Sequence, residues 1–367
     1  MRIERIEVFK ANLPLKRPFR IAIGETCVAE TLYIRVHTDN GSYGMGEANL
    51  FTPVVGETQA TAFAAAKNLA ELLVGTDPLD IERRVSDMRR FMLSNPTTRS
   101  AFDMALYDLA GKAAGLPLYA LLGGARRVIT TDNTVGIDTP EAMVEHALEI
   151  VNRGFPAVKI KVGTTAVEDI ERVERIRRAV GPELPIRIDA NQGWDRVSAV
   201  HALGGMEGLG LQYCEQPVPA WDFESMRYVR SRTSIPIMAD ESVFDERDAF
   251  KLASMNACDF LNIKLAKSGG LHVALKINAV AEGAGMRCMV GCMTESRLGL
   301  SAGAHLVSSR PNIAFADLDG ADMLMDDPVI GGMVYEKGGR ISLPEEPGLG
   351  ADVDPDYLGS LESYAIA

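Results

Sequence analysis

Apolar and polar residues alternate in two short stretches near the start of the chain, residues 2–9 and 31–38 (TLYIRVHT). Both are rich in β-branched and apolar side chains, the mark of half-buried strands. Asn40-Gly41 is a strong hairpin turn, and SYGMGEA beyond it reads as a further short strand. From about Thr58 to Leu122 the period changes. AFAAAKNLAELL and SAFDMALYDLAGKAAG are Ala-rich, with apolar residues every three or four positions, as a helix with one buried face requires. Strands followed by helices predict an α+β unit over residues 1–125.

After Gly123-Gly124 a new rhythm begins, and it predicts a second unit over residues 126–340. Short apolar segments recur, most of them ending in polar or charged residues: VITTDNTVGI, AVKIKVG, PIRIDAN, LQYCEQP, PIMADES, FLNIKLAK, RCMVGCM and AFADLDG. Their marker residues are spaced by roughly 24–28 positions, the length of a strand, a helix and two turns, so eight such units predict a TIM-type β/α barrel. A linker supports this. VEDIERVERIRRAVG sets Val167, Ile170, Val173, Ile176 and Val180 along one helical face, with acidic residues in the first turn, Arg177 and Arg178 near the end and Gly181 as a stop. Residues 341–367 are rich in Pro, Gly and acidic side chains. They are expected to leave the barrel and pack back on the first unit.

Composition narrows the function. At 367 residues the chain exceeds one ordinary domain, and 47% hydrophobic with 24% charged residues is the balance of a soluble globular protein. A net charge of −12 argues against nonspecific nucleic-acid binding. The five cysteines form an odd set without CxxC spacing and read as free thiols. MRIERIEVFKANLPL carries charges where a signal peptide needs an apolar core, and no apolar run approaches the ~18 residues of a membrane span. A cytoplasmic enzyme without a membrane partner is expected.

The polar residues at the strand ends carry the chemistry. Catalysis in a β/α barrel sits at the C-terminal ends of the strands, and side chains alternate in direction along each strand. Lys159 and Lys161 therefore share a direction on the second strand, as do Asp189 and Asn191 on the third and Asp317 and Asp319 on the eighth. Glu215, Asp240 and Lys264 end the fourth, fifth and sixth. Three converging carboxylates, Asp189, Glu215 and Asp240, need a cation, and an all-oxygen set suits Mg²⁺ better than zinc. Lysines on either side of such a metal suggest carbon-acid proton transfer, with Mg²⁺ stabilising the enediolate formed next to a carboxylate. Asp317 and Asp319, two apart on one face, suit a cationic amine.

Nearly the whole chain resembles the muconate-lactonizing branch of the enolase superfamily. SAFDMALYDLAGKAAGLPLYALLGG is similar to the helix closing that branch's N-terminal domain, and KIK, DAN, EQP, ADES and NIKLAKSGG match its barrel motifs in order. The resemblance implies a modified TIM barrel, (β/α)7β, with an α+β N-terminal capping domain completed by the C-terminal segment. It implies Asp189, Glu215 and Asp240 as Mg²⁺ ligands and Lys161 and Lys264 as the acid/base pair. Lys159 would tune Lys161 at the substrate end, and Asn191 and Glu241 would support the ligands. GCMTES (Gly291 to Ser296) and DLDG (Asp317 to Gly320) resemble the dipeptide epimerases, in which the DxD carboxylates hold a dipeptide's α-ammonium group. Met293 and Cys292 are then expected to line the pocket, and Glu295 to contact substrate or support a lysine. A homo-oligomer acting on a dipeptide follows from the same resemblance.

In the loop PFRIAIGET, the position that is Arg in Ala-Glu epimerases aligns with Gly24. Ala-Glu specificity is therefore not implied. Arg20 and Glu25 are the remaining charged candidates there, and Glu25 would favour a neutral or cationic second residue. This loop and PVVGET (Pro53 to Thr58) are expected to form the lid. The same chemistry leaves a muconate cycloisomerase, an o-succinylbenzoate synthase or an N-acyl amino acid racemase as alternatives, and other classes offer a Schiff-base aldolase or a catalytically silent binder. SGG after Lys267 could cradle a phosphate, though such glycines more often serve a tight turn. Lys267 is expected at the surface or behind the site, and the histidines are read as structural or exposed.

Overall fold

The computed structural model describes residues 1–367. Its first unit is an antiparallel sheet in the order Glu362–Ile366, Ile3–Ile21, Gly24–Thr38, Tyr43–Leu50. The strand from the chain's end pairs with the first strand, from Ile6 opposite Ile366 to Lys10 opposite Glu362. Helices Gln59–Leu73 and Pro96–Ala114 cover this sheet, and Ile81–Phe91 packs against both helices. Helix Pro96–Ala114 is buried along almost its whole length, and its composition explains why. Small residues bring it close: a side chain at Gly44 or Gly46 of the third strand would collide with the backbone of Ala105 or Ala101.

The second unit is a run of eight parallel strands in consecutive order. They are Asn133–Val135, Val158–Lys161, Ile186–Asp189, Leu211–Glu215, Ile237–Ala239, Phe260–Ile263, Arg287–Val290 and Ile313–Ala316. Helices follow the first seven, but a 3₁₀ turn at Gly320–Met323 follows the eighth, which is the (β/α)7β pattern. No backbone ladder joins the first strand to the eighth. Side chains make the junction: the Thr134 N–H donates to Asp319 at 2.8 Å, and the Leu318 N–H to the Thr131 hydroxyl at 2.8 Å. The C-terminal segment does not leave at once. Arg340–Ser342 pairs with Ile129–Thr130, and Ala351–Val353 pairs with Val329–Gly331, before the final strand crosses to the cap.

Helix Ala166–Val180 keeps the expected face at Ile170, Val173, Ile176 and Val180 and departs from it only in the first turn. Val167 is 68% exposed, and Asp169 takes the inward position in the first turn. Its carboxylate accepts the N–H groups of Gly163 and Thr164, each at 2.9 Å, and the Trp194 indole N–H at 3.0 Å. Satisfying two loops outweighed burying one valine.

Cap and barrel meet through buried carboxylates seated on helix N-termini, where unpaired N–H groups concentrate positive charge. Asp103, from helix Pro96–Ala114, accepts the backbone N–H groups of Leu271 and His272 at the start of barrel helix Leu271–Gly283. Gly270 lies at φ 111° directly against Asp103, so the SGG glycines serve a turn that receives a protein carboxylate rather than a phosphate. Burial pushes Asp103 up to about 8. No helix is long and apolar enough to cross a membrane.

Candidate active site

The period-2 alternation of each barrel strand builds two inward layers. The lower layer holds Arg187, whose guanidinium lies 5.6 and 5.2 Å from the ring centres of Tyr213 and Phe315, with Met238 and Met289 beside them. The upper layer, two residues further along the strands, is charged. Lys161, Asp189 and Glu215 stand side by side because their strands pair in register, Lys161 opposite Asp189 and Asp189 opposite Glu215. Asp240 and Lys264 follow the next two strands.

Asp189, Glu215 and Asp240 are buried, and each can offer an oxygen within 4.8 Å of the others. Lys161 Nζ lies 2.6 Å from Asp189 Oδ2, and Lys264 Nζ lies 2.9 Å from Asp240 Oδ2. Burial alone would raise Asp189, but the ammonium groups of Lys161 and Lys159 outweigh it and hold it below the usual range. Burial and the charge of Asp189 push Glu215 up to about 8. Glu215 Oε2 and both Asp240 oxygens have ammonium groups nearby but no aligned hydrogen-bond donor. Donor-free buried oxygens on Glu215 and Asp240, in a cluster of three mutually repelling carboxylates, make a donor set that fits a divalent, oxygen-seeking cation. Mg²⁺ is such an ion.

Several candidates sit as expected around this centre. Asn191 donates its backbone N–H to Asp189 at 2.9 Å and its side-chain amide to Glu241 at 3.1 Å. Burial and Asp240 push Glu241 up to about 7. Lys161, Lys264, Asn191, Cys292, Met293, Asp317 and Asp319 all line one cavity of about 540 Å³. Asp317 is matched by Lys159 at 2.7 Å, whereas Asp319 has no ion pair and accepts only neutral donors, the Thr134 N–H at 2.8 Å and the Cys292 thiol at 3.8 Å. Burial and Asp317 therefore push Asp319 well above the usual carboxylate range.

Two expectations need correction, Lys159 at the substrate and the charged residues of the specificity loop, and two open ones narrow. Lys159 does not reach the cavity. It is 1% exposed and bridges Asp317, Glu215 at 2.8 Å and Asp189 at 3.2 Å, because it belongs to the layer below Lys161. Glu295 lies outside the cavity lining, which removes the expected substrate contact but not the support of a lysine: it accepts the Met293 N–H at 2.6 Å, burial pushes it up to about 7, and the charge of Lys264 opposes that rise. Of the two places expected for Lys267, the structure gives the one behind the site: its ammonium is buried 2.5 Å from Asp240 Oδ1, and burial lowers its affinity for a proton. Arg20 and Glu25 are exposed and outside the cavity lining. The cap contributes Phe19, Ile21, Thr26, Phe51 and Val54 instead, none of them charged.

The alternation rule could have found Asn262, two residues before Lys264, which donates to Glu215 at 2.7 Å. No local signal marks Thr134 or Met323, which reach the cavity only through the way the first and eighth strands meet.

Residues 3–123 match the model of the mandelate racemase / muconate lactonizing enzyme N-terminal domain. Residues 142–357 match the enolase C-terminal domain-like model. The chain belongs to the enolase superfamily, in its mandelate racemase / muconate lactonizing enzyme family. Among family members, the D-Ala-D/L-Ala epimerase of Cytophaga hutchinsonii is 42% identical over 100% of both chains. The hydrophobic dipeptide epimerase of Enterococcus faecalis is 41% identical, over 95% of this chain and 99% of that protein. The crystal structure of the Cytophaga hutchinsonii dipeptide epimerase with Mg and D-Ala-L-Val superposes at a TM-score of 0.99, covering 100% of both chains. Within the family, the N-succinyl-L-Arg/Lys racemase of Bacillus cereus is more distant, at 35% identity over 99% of each chain.

Proposed function

We propose that this protein is a Mg²⁺-dependent dipeptide epimerase, an isomerase that inverts the α-carbon of a dipeptide's C-terminal residue. One observation carries the reading. Lys161 and Lys264 follow the second and sixth of eight strands, half a turn apart, and both line the same cavity. A carbon held between them presents one face to each amine. In this reading one lysine, as the neutral amine, takes the α-proton, and the other, as the ammonium, returns a proton to the opposite face. Asp189, Glu215 and Asp240 would hold Mg²⁺, which when bound supplies positive charge to offset the negative charge developing on the substrate's carboxylate. Asp319 would take the α-ammonium group, with Asp317 held in place by Lys159. Asn191 and Glu241 would steady the metal ligands, and Met293 would line the substrate's path.

The uncharged cap-side lining supports an apolar second residue. A charged side chain enclosed by Phe19, Ile21, Phe51 and Val54 would find no partner. The relative crystallised with D-Ala-L-Val is consistent with this. The unpaired carboxylate at Asp319 disfavours the cycloisomerase, o-succinylbenzoate synthase and N-acyl amino acid racemase alternatives, whose substrates offer no ammonium group there. In the same reading residues 1–125 form the capping domain, residues 126–340 the catalytic barrel and residues 341–367 the returning segment. The enzyme would work in the cytoplasm as a homo-oligomer, on a free small molecule rather than a nucleic acid or membrane. Chiral chromatography of L-Ala-L-Val, D-Ala-L-Val and L-Ala-L-Glu after incubation with enzyme and Mg²⁺ tests the reading. Epimerisation of an Ala-Val substrate at least about 10-fold faster in kcat/KM than of Ala-Glu is expected. No epimerisation of any dipeptide would overturn it.

A further inference from the structure

The cavity wall between Lys264 and Asp317 is a loop, Gly291 to Ser296, with no regular secondary structure. Something must hold it, since three of its residues, Cys292, Met293 and Thr294, face the substrate space. Half of that support comes from the other unit. The third cap strand, Tyr43–Leu50, and the residue after it run antiparallel to the loop in steps of two. Glu47 accepts the Ser296 N–H at 2.9 Å and its hydroxyl at 2.7 Å. Asn49 meets Thr294, and Phe51 and Cys292 both line the cavity.

The Asn49 contact has the form of a peptide–peptide pair. Its amide donates to the Thr294 carbonyl at 3.1 Å, and its carbonyl oxygen accepts both the Thr294 N–H and the Thr294 hydroxyl, each at 3.2 Å. Asn49 is 1% exposed, so no water competes. Only an amide side chain satisfies a backbone donor and acceptor together at this reach. We infer that Asn49 is a positioning residue through which the cap sets the shape of the substrate cavity, holding Thr294 against the C-terminal side chain of the dipeptide. The inference rests on the epimerase reading above. Asn49 touches neither lysine nor any proposed metal ligand, so its loss leaves proton transfer intact and loosens the wall.

The test compares Asn49→Ala and the isosteric Asn49→Asp with wild type, using an Ala-Val dipeptide and Mg²⁺. Asn49→Ala is expected to raise KM about 10-fold or more while kcat stays within about 3-fold, because the lost hydrogen bonds act on binding rather than on the chemical step. Asn49→Asp keeps the acceptor for the Thr294 N–H and hydroxyl, loses the donor, and should fall between the two. Amide hydrogen exchange across residues 291–296 should speed up in the same order. A purely structural role predicts a lower active fraction, hence lower kcat with KM unchanged. Unchanged KM and unchanged exchange in both variants would overturn the inference even if wild type epimerises. A wild type inactive on every dipeptide would instead strike the functional reading, and the exchange measurement would still judge the loop contact.

Discussion

Asp319→Asn isolates the group assigned to the substrate's ammonium. Asp319 is 2% exposed, and its donors are the Thr134 N–H at 2.8 Å and the weak Cys292 thiol at 3.8 Å. An asparagine of the same shape can keep the Thr134 bond through its carbonyl oxygen and turn its NH₂ toward the cavity, so the strand junction should survive. What it loses is a charge-assisted contact in a water-poor site, worth about 1.5–3 kcal/mol. That corresponds to a roughly 10- to 150-fold rise in KM. Neighbouring Asp317 can compensate only through Oδ1, which has no partner, since Lys159 already holds its Oδ2 at 2.7 Å. Steady-state kinetics should be run on an Ala-Val dipeptide and on its N-acetyl derivative, which lacks the ammonium group. Wild type should prefer the free amine strongly, and Asp319→Asn should erase most of that preference while sparing the acetylated substrate. An unchanged KM, or an equal loss on both substrates, would refute the assignment.

Three further outcomes follow from the geometry. Lys161→Ala and Lys264→Ala should each lower epimerisation by at least about 100-fold, while each variant still exchanges the α-proton of one antipode with solvent. Exchange of both antipodes by either variant would show that the lysines do not divide the faces between them. Asp189→Asn, or excess EDTA, should abolish turnover, and a calorimetric titration with Mg²⁺ should lose its binding heat in the variant; metal-independent turnover would contradict the ligand set. His305 tests stability rather than catalysis. It is fully buried, accepts the Tyr119 N–H at 3.1 Å and faces the Leu349 carbonyl at 3.2 Å, and burial lowers it from 6.5 to about 4. The unfolded chain binds that proton first as pH falls, so the contribution is intact above about pH 6.5 and is lost on acidification toward pH 4. The loss amounts to about 3 kcal/mol. Urea melts of His305→Gln should show lower stability at pH 7 and a flatter pH slope between 4 and 6.5; an unaltered slope would count against it.

The fold was legible because two periods dominate the chain, first in separate blocks of strand and helix and then, after Gly123-Gly124, in regular alternation. Strand-end residues could be ranked because alternation in a barrel strand fixes which side chains face inward, and Lys161, Asp189 and Glu215 do stand in register. The same rule also explains the limits. It gives direction but not depth, so Lys159 was expected at the substrate although it lies one layer below, locked between carboxylates. Charge alone is a poor guide on a loop: Arg20 and Glu25 drew attention, yet they point to solvent while Phe19, Ile21 and Thr26 line the cavity. Val167 failed for a related reason. Apolar periodicity cannot foresee that Asp169 will be needed inside to satisfy two loops. Lys267 and Asn49 depend on contacts across about 25 and 245 residues of chain, which no local pattern encodes.

The central claim is a 1,1-proton transfer by two opposed lysines, and solvent isotope reads it directly. An Ala-Val dipeptide incubated in D₂O with enzyme and Mg²⁺ should gain one deuterium at the α-carbon of its C-terminal residue, in product and, with time, in recovered substrate. Turnover that retains all of its protium would contradict the account.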